Sequence, residues 1–311
     1  MNFFDLHCDT LTECVRNGEH LYSNNLHVSL ERGGSFEKWC QVFAAFLPDT
    51  LSETEAAEYF DSVLSFFKDE IGKNSKKISL CTDDESLRLC CESGRCGAIL
   101  AMENSKAVTS VEKLSQLYEK GLRILTLTWN GANAAGGGVS SGGGLTEWGC
   151  ELVRAAQSLG IVVDASHLSD AAFWDLTRVS HAPFIASHSD SRSAFRHSRS
   201  LSDAQIRYLV DTGGLVGLNF YREFLGKGGD LDSLLSHAQH MLSLGAENTL
   251  CIGSDFDGCV MNPSLSGVEK LPEIREYFEQ NGVSSKLCDK IFFENAFNFF
   301  ENVLQRHSDM L

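Results

Sequence analysis

Apolar residues rich in β-branched and aromatic types gather into eight short runs, at 3–8, 40–47, 97–102, 122–128, 161–166, 183–187, 214–220 and 250–254. Runs of this length between turn signals read as buried strands. Between most of them the apolar positions recur with the three-to-four spacing of a helix that buries one face, at 53–67, 110–120, 146–159, 170–179, 203–210 and 231–244. Ser169-Asp170 and Ser202-Asp203 place cap chemistry ahead of two of these helices. A stretch at 284–306 predicts a long C-terminal helix, and 77–81 predicts a small extra hairpin beside the helix at 53–67. Eight strands alternating with helices predict an α/β fold, a (β/α)8 TIM barrel in a single domain spanning 1–311, rather than an open doubly wound sheet.

Such a barrel carries its chemistry at the C-terminal ends of its strands. Five of the eight runs end on a histidine or a carboxylate: His7-Cys8-Asp9, Glu103-Asn104, Ser166-His167, Ser187-His188-Ser189 and Asp255-Phe256-Asp257. Alternate residues share one face of a strand, so His7 and Asp9 form a clamp from a single element. His167 and His188 end neighbouring strands, and Glu103 has two oxygens to divide between two ions about 3.5–4 Å apart. Imidazole and carboxylate donors suit zinc, with manganese or iron as alternatives. Two residues before four of these tips stand Ala101, Ala165, Ala186 and Gly253, small enough to leave room above them on the same inward face. Asp5, two before His7, is placed to accept that histidine's second ring N–H. His20, His27, His181, His197, His237, His240 and His307 lack such placement and read as surface or packing residues.

The chain has 311 residues, 43% of them hydrophobic, which excludes wholesale disorder. Its 26 basic against 42 acidic residues leave a net charge of −16, which argues against nucleic acid or an anionic membrane as a partner. The opening Met1-Asn2-Phe3-Phe4-Asp5 lacks the basic start and apolar run of a secretory signal. A soluble, cytoplasmic protein is expected, as a possible homodimer. Eleven cysteines without a Cys-x-x-Cys pair predict reduced thiols, many packed as small hydrophobes. The segment 134–144 holds six glycines without a phosphate-binding Lys-Ser/Thr ending, and reads as a surface loop.

Taken in order, Asp5-Leu6-His7-Cys8-Asp9, Met102-Glu103-Asn104, Leu125-Thr126-Leu127-Thr128, Val163-Asp164-Ala165-Ser166-His167, Pro183-Phe184-Ile185-Ala186-Ser187-His188-Ser189 and Ile252-Gly253-Ser254-Asp255-Phe256-Asp257-Gly258 resemble the membrane (renal-type) dipeptidases, peptidase family M19 of the amidohydrolase-like metallohydrolases. The resemblance implies two zinc ions per chain, one on His7 and Asp9, the other on His167 and His188, bridged by Glu103. It implies a hydroxide shared by both metals as the nucleophile, Asp255 as its proton carrier, and Arg199 as the group that holds the carboxylate of a dipeptide. Dipeptides with a C-terminal D-residue are within the substrate range it implies. Two departures stand out. Where well-known members have a substrate-contacting histidine, this chain has Trp129 followed by Asn130. Indole passes no proton, so help at the carbonyl there falls to Asn130, a shifted residue or the metal. Neither the signal nor the lipid-anchor tail of the membrane forms is read in this sequence, so a cytosolic bacterial-type relative is expected. A lactonase or deaminase on the same metals is disfavoured, because those enzymes bridge with a carboxylated lysine that this chain lacks after its fourth run. A metal-binding relative without turnover is the remaining alternative.

Overall fold

The computed structural model describes residues 1–308. Nine strands run parallel in one sheet: β1 (Asn2–Cys8), β2 (Lys38–Phe46), β3 (Ile78–Leu80), β4 (Cys96–Glu103), β5 (Leu122–Thr126), β6 (Val162–Asp164), β7 (Ile185–Ala186), β8 (Leu215–Leu218) and β9 (Leu250–Ile252). Eight close into a barrel in the order β1-β2-β4-β5-β6-β7-β8-β9, with β9 returning to β1 through Asp5 and Ile252. These are the eight predicted runs. Helices between them, such as Glu53–Lys73, Glu147–Ser158, Asp170–Val179 and Asp203–Thr212, cover the barrel as in a (β/α)8 fold. Ser52, Thr146, Ser169 and Ser202 each begin one of these helices by accepting the backbone N–H three residues on.

The expected hairpin at 77–81 is instead the single strand β3, paired parallel with the first residues of β4 while β5 pairs with its last ones. The chain does not turn back because Asp83, capped reciprocally by Ser86, starts a helix at Asp84–Glu92. The C-terminal helix is also not uniform. It runs Ser285–Asp289, passes through a π turn at Lys290–Glu294, and continues over Asn295–Ser308. The side chain of His307 lies outside the described residues.

Two apolar layers result. Phe4, Leu6, Val42, Ile99, Ala101, Ile124, Val162, Ile185, Leu215 and Cys251 fill the barrel together with Phe293, Phe299 and Phe300 of the C-terminal helix, whose Phe300 stacks on Phe4 at 5.4 Å. Phe3, Phe43, Leu100, Met102, Leu125, Val163, Val216 and Ile252 face the surrounding helices. Ala101 lies in the inner layer beneath Glu103, as expected. Gly253 does not open room below Asp255 as expected: the Ser187 carbonyl oxygen lies 1.7 Å from where its Cβ would stand, so the glycine admits neighbouring backbone instead. Ala165 and Ala186 depart from the expectation and face the helices: β6 and β7 end before their histidines, so alternation does not carry through to His167 and His188. All eleven cysteines are unpaired and nine are buried. Among the described residues no helix is long and apolar enough to cross a membrane.

His237 packs fully inside, its Nδ1 accepting the Ser191 N–H at 3.0 Å. Burial lowers its pKa from 6.5 to about 4. The neutral ring is thus favoured on folding, and its stabilisation is complete above pH 6.5. It is lost as pH falls toward 4, by up to about 3 kcal/mol at 1.36 kcal/mol per unit. Urea unfolding at pH 7 and 4.5 is expected to show this loss, and His237→Asn, which keeps an acceptor for Ser191, is expected to flatten it.

Candidate metal centre

The polar strand ends meet at one mouth of the barrel. His7 Nε2 lies 3.3 Å from Asp9 Oδ2 and 3.5 Å from Glu103 Oε2. The other oxygen of the same carboxylate, Glu103 Oε1, is 2.8 Å from His167 Nε2 and 3.8 Å from His188 Nε2. Two donor clusters therefore form, His7–Asp9–Glu103 and Glu103–His167–His188, with Glu103 common to both. Asp255 groups with His7 and His188 from the side. The five expected ligands are at most 6% exposed.

Proton accounting tests whether cations fit. His167 Nδ1 lies 3.0 Å from Asn130 Oδ1, an oxygen that only accepts, so this nitrogen carries the ring proton. His188 Nδ1 lies 2.8 Å from Ser187 Oγ, whose own proton goes to Asp164 Oδ2 at 2.7 Å, so Nδ1 is again the donor. Burial, reinforced by the Arg199 charge, lowers His167 to about 4, and burial with the His7 charge holds His188 well below its ordinary range. Both shifts favour the neutral ring, and with the ring protons on Nδ1 the two Nε2 atoms face one another at 2.9 Å with their lone pairs. Lone pairs converge this way around a shared cation. Asp9 Oδ1 is buried with no hydrogen-bond partner. Burial and the nearby Glu103 charge push Asp9 up to about 8, and burial raises Asp255 as well. Divalent ions offset that crowding of carboxylates, and the donors present match them in number and type.

Above this floor opens a cavity of about 610 Å³ walled by Phe46, Trp129, Tyr221, Phe224 and Val260. Trp129 stands edge-on to Phe46 at 5.1 Å and 6.2 Å from the His167 ring. Asn130 also lines the cavity, although its oxygen is engaged by His167. Arg199 reaches the wall while only 6% exposed. Its Nε and Nη1 have no hydrogen-bond partner, its Nη2 approaches the His188 carbonyl at 3.4 Å, and the guanidinium lies over the Phe224 ring at 5.4 Å. Asp255 occupies the left-handed region at φ 61°, as does Asp257 at φ 68°. Such strain persists only where the surroundings enforce it. Here Asp257 accepts the Thr10 hydroxyl at 2.5 Å and the His27 N–H at 2.6 Å, while Asn219 donates to Asp255 Oδ2 at 3.0 Å.

One expectation is corrected. Asp5 does not meet the His7 ring. It lies on the opposite side of β1 from Phe4 and Leu6, where it accepts the His7 backbone N–H at 3.3 Å and bonds Gln41 and Ser254. Sequence reasoning also passed over Asp164, Ser187 and Asn219. Asp164 and Ser187 sit inside motifs quoted above, and Asn219 follows β8 with an amide, which lacks the ligating signature of an acid or an imidazole.

The profile of the family described as membrane dipeptidase (peptidase family M19) matches residues 1–310. A metallo peptidase from Rhodobacter sphaeroides, solved with a phosphinate mimic of the dipeptide L-Ala-D-Ala, is 25% identical, with a TM-score of 0.91 over 97% of this chain and 99% of that one. The dipeptidase AC, a metallo peptidase of family M19, is 26% identical, with a TM-score of 0.92 over 98% and 99%. An uncharacterised dipeptidase of Schizosaccharomyces pombe is 33% identical over 213 residues, 65% of this chain and 51% of that protein. A barrel of this architecture, matched to the family from its first strand to its last helix, belongs to the membrane dipeptidases, peptidase family M19, and is a metallo-dipeptidase.

Proposed function

We propose that the chain hydrolyses dipeptides with a binuclear zinc centre, His7 and Asp9 holding one ion, His167 and His188 the other, and Glu103 both. Bound there, two zinc ions would bring the pKa of a water toward 7 and polarise the peptide carbonyl. The protein's part is positional and electrostatic. Asp255, beside both clusters and steadied by Asn219, takes the proton from the attacking water and returns it to the departing amine. Arg199 binds the free carboxylate of the substrate, which limits the cavity to short peptides. Trp129 and Asn130 contact the substrate from the His167 side.

The observation that carries this reading is Arg199: a buried guanidinium with open donors, on the wall of a cavity whose floor is a cluster of metal-ligating lone pairs. Desolvating that charge costs several kcal/mol, and an anionic ligand offsets the cost. C-terminal D-residues fall within the range, as supported by the L-Ala-D-Ala mimic bound by the Rhodobacter sphaeroides peptidase.

Elemental analysis combined with a panel of L-L and L-D dipeptides tests the proposal. Two zinc ions per chain and cleavage of at least one dipeptide are expected, whereas bound metal without cleavage overturns it. Arg199→Met is expected to lower kcat/KM by roughly 10–150-fold, the ~1.5–3 kcal/mol of a hydrogen bond to a charged group, chiefly through KM. Dipeptide amides, which lack the carboxylate, are expected to lose little further on the variant. Equal losses for acids and amides would show that Arg199 has another role.

A further inference from the structure

Asp5 and Asp164, both fully buried, are wired in the same way on opposite sides of the barrel. Each accepts the backbone N–H two residues ahead on its own chain segment, His7 for Asp5 and Ser166 for Asp164. Each also accepts both the backbone N–H and the hydroxyl of a serine at the end of the adjacent strand. For Asp5 that serine is Ser254, at 2.9 and 2.6 Å; for Asp164 it is Ser187, at 2.9 and 2.7 Å. In both cases the serine immediately precedes a residue of the site: Ser254 precedes Asp255, and Ser187 precedes His188.

We infer that these two aspartate–serine pairs are positioning devices, Asp164–Ser187 setting the tautomer and aim of His188, and Asp5–Ser254 setting the place of Asp255. The reading of His188 and Asp255 as metal ligand and proton carrier comes from the function proposed above. The clamps act through different atoms. Ser187 gives its proton to Asp164 and so has only a lone pair for His188, which forces the ring proton onto Nδ1 and leaves Nε2 free. Ser166 Oγ, held by the same carboxylate at 2.7 Å, receives the His188 N–H at 3.1 Å. Ser254 never touches the Asp255 carboxylate. Its Oγ accepts the N–H of Phe256 at 3.1 Å, bracketing the left-handed Asp255 between Ser254, fixed to Asp5, and Phe256, fixed to Ser254. Four buried polar groups at each clamp would be costly without mutual satisfaction. The repetition around two different site residues argues for more than local packing.

Nitrogen-15 NMR of the imidazoles in the metal-free protein reads the tautomer without any metal or turnover. His188 protonated on Nδ1 in the wild type and shifted toward Nε2 in Ser187→Ala is expected; an Nε2 proton in the wild type overturns the inference. In competition with a chromophoric chelator, Ser187→Ala is expected to weaken one of two zinc equivalents by about 10–100-fold, with Ser187→Thr restoring it. Ser254→Ala is expected to keep both equivalents and lose at least tenfold in kcat, with Ser254→Thr restoring that too. Threonine variants as impaired as the alanine ones would reduce both clamps to packing. A wild type holding fewer than two zinc ions would instead fail the functional proposal, leaving the tautomer test to decide the Asp164 clamp.

Discussion

Asp255→Asn is expected to lower kcat by roughly 10²–10⁴-fold, the range associated with a positioned proton carrier, while leaving the metal content unchanged. The amide keeps the shape of the side chain, and its oxygen, turned toward Asn219, still accepts the bond that now ends on Asp255 Oδ2. What disappears is the capacity to take up a proton. Asp255 stands at the flank of the two donor clusters and outside the pair that shares Glu103, so removing its charge does not take a ligand from either. The measurement is steady-state kinetics beside zinc stoichiometry on the same preparation. Loss of zinc together with activity would make Asp255 a ligand, and unchanged kinetics would leave the protein a metal binder whose proton transfer occurs elsewhere.

The second large effect concerns Glu103, the one carboxylate that faces both clusters. Glu103→Gln preserves volume and offers a single ligating oxygen, its other atom becoming an amide nitrogen that cannot bind a cation. Whichever way the amide turns, one cluster loses its shared donor: either Oε1 toward His167 or Oε2 toward His7. Zinc content is expected to fall from two to about one per chain, and kcat/KM by at least ~10³-fold, since metal polarisation contributes several kcal/mol. Full zinc occupancy in this variant would mean that the two clusters are held independently.

Much of the barrel was legible because a parallel strand buried on both faces writes a short continuous apolar run, and eight such runs stand out between helical stretches. What escaped was local. At 77–81 the run is only three residues of strand in the fold, and whether it folds back as a hairpin or continues into a helix depends on Asp83 and Ser86 rather than on hydrophobicity. The π turn at Lys290–Glu294 leaves the helical pattern of apolar residues nearly intact, so periodicity does not reveal it. The five candidate ligands were readable because acids and imidazoles are rare at the ends of apolar strands, and the structure gathers all five. The inward-facing parity argument held for Glu103, which stands above Ala101, but failed for His167 and His188, whose strands stop short of them. Asp5 meets the His7 backbone N–H and not the ring, a distinction that strand alternation cannot make, because it shows only which side a residue occupies. Asn219 and Ser187 carry no distinctive residue type, Asp164 stands three residues before the more conspicuous His167, and three-dimensional wiring sets all three apart.

The stacking of Phe300 on Phe4 brings the last helix of the chain against its first strand, at the end of the barrel remote from the cavity. His7 and Asp9 lie within a few residues of Phe4, yet the layer beneath them lacks its base until residues some three hundred positions further along have followed. Contacts of such sequence separation are slow to form. A nascent chain stalled before the π turn would expose Phe4, Leu6 and Cys251 along an uncovered lumen, a surface suited to chaperone capture.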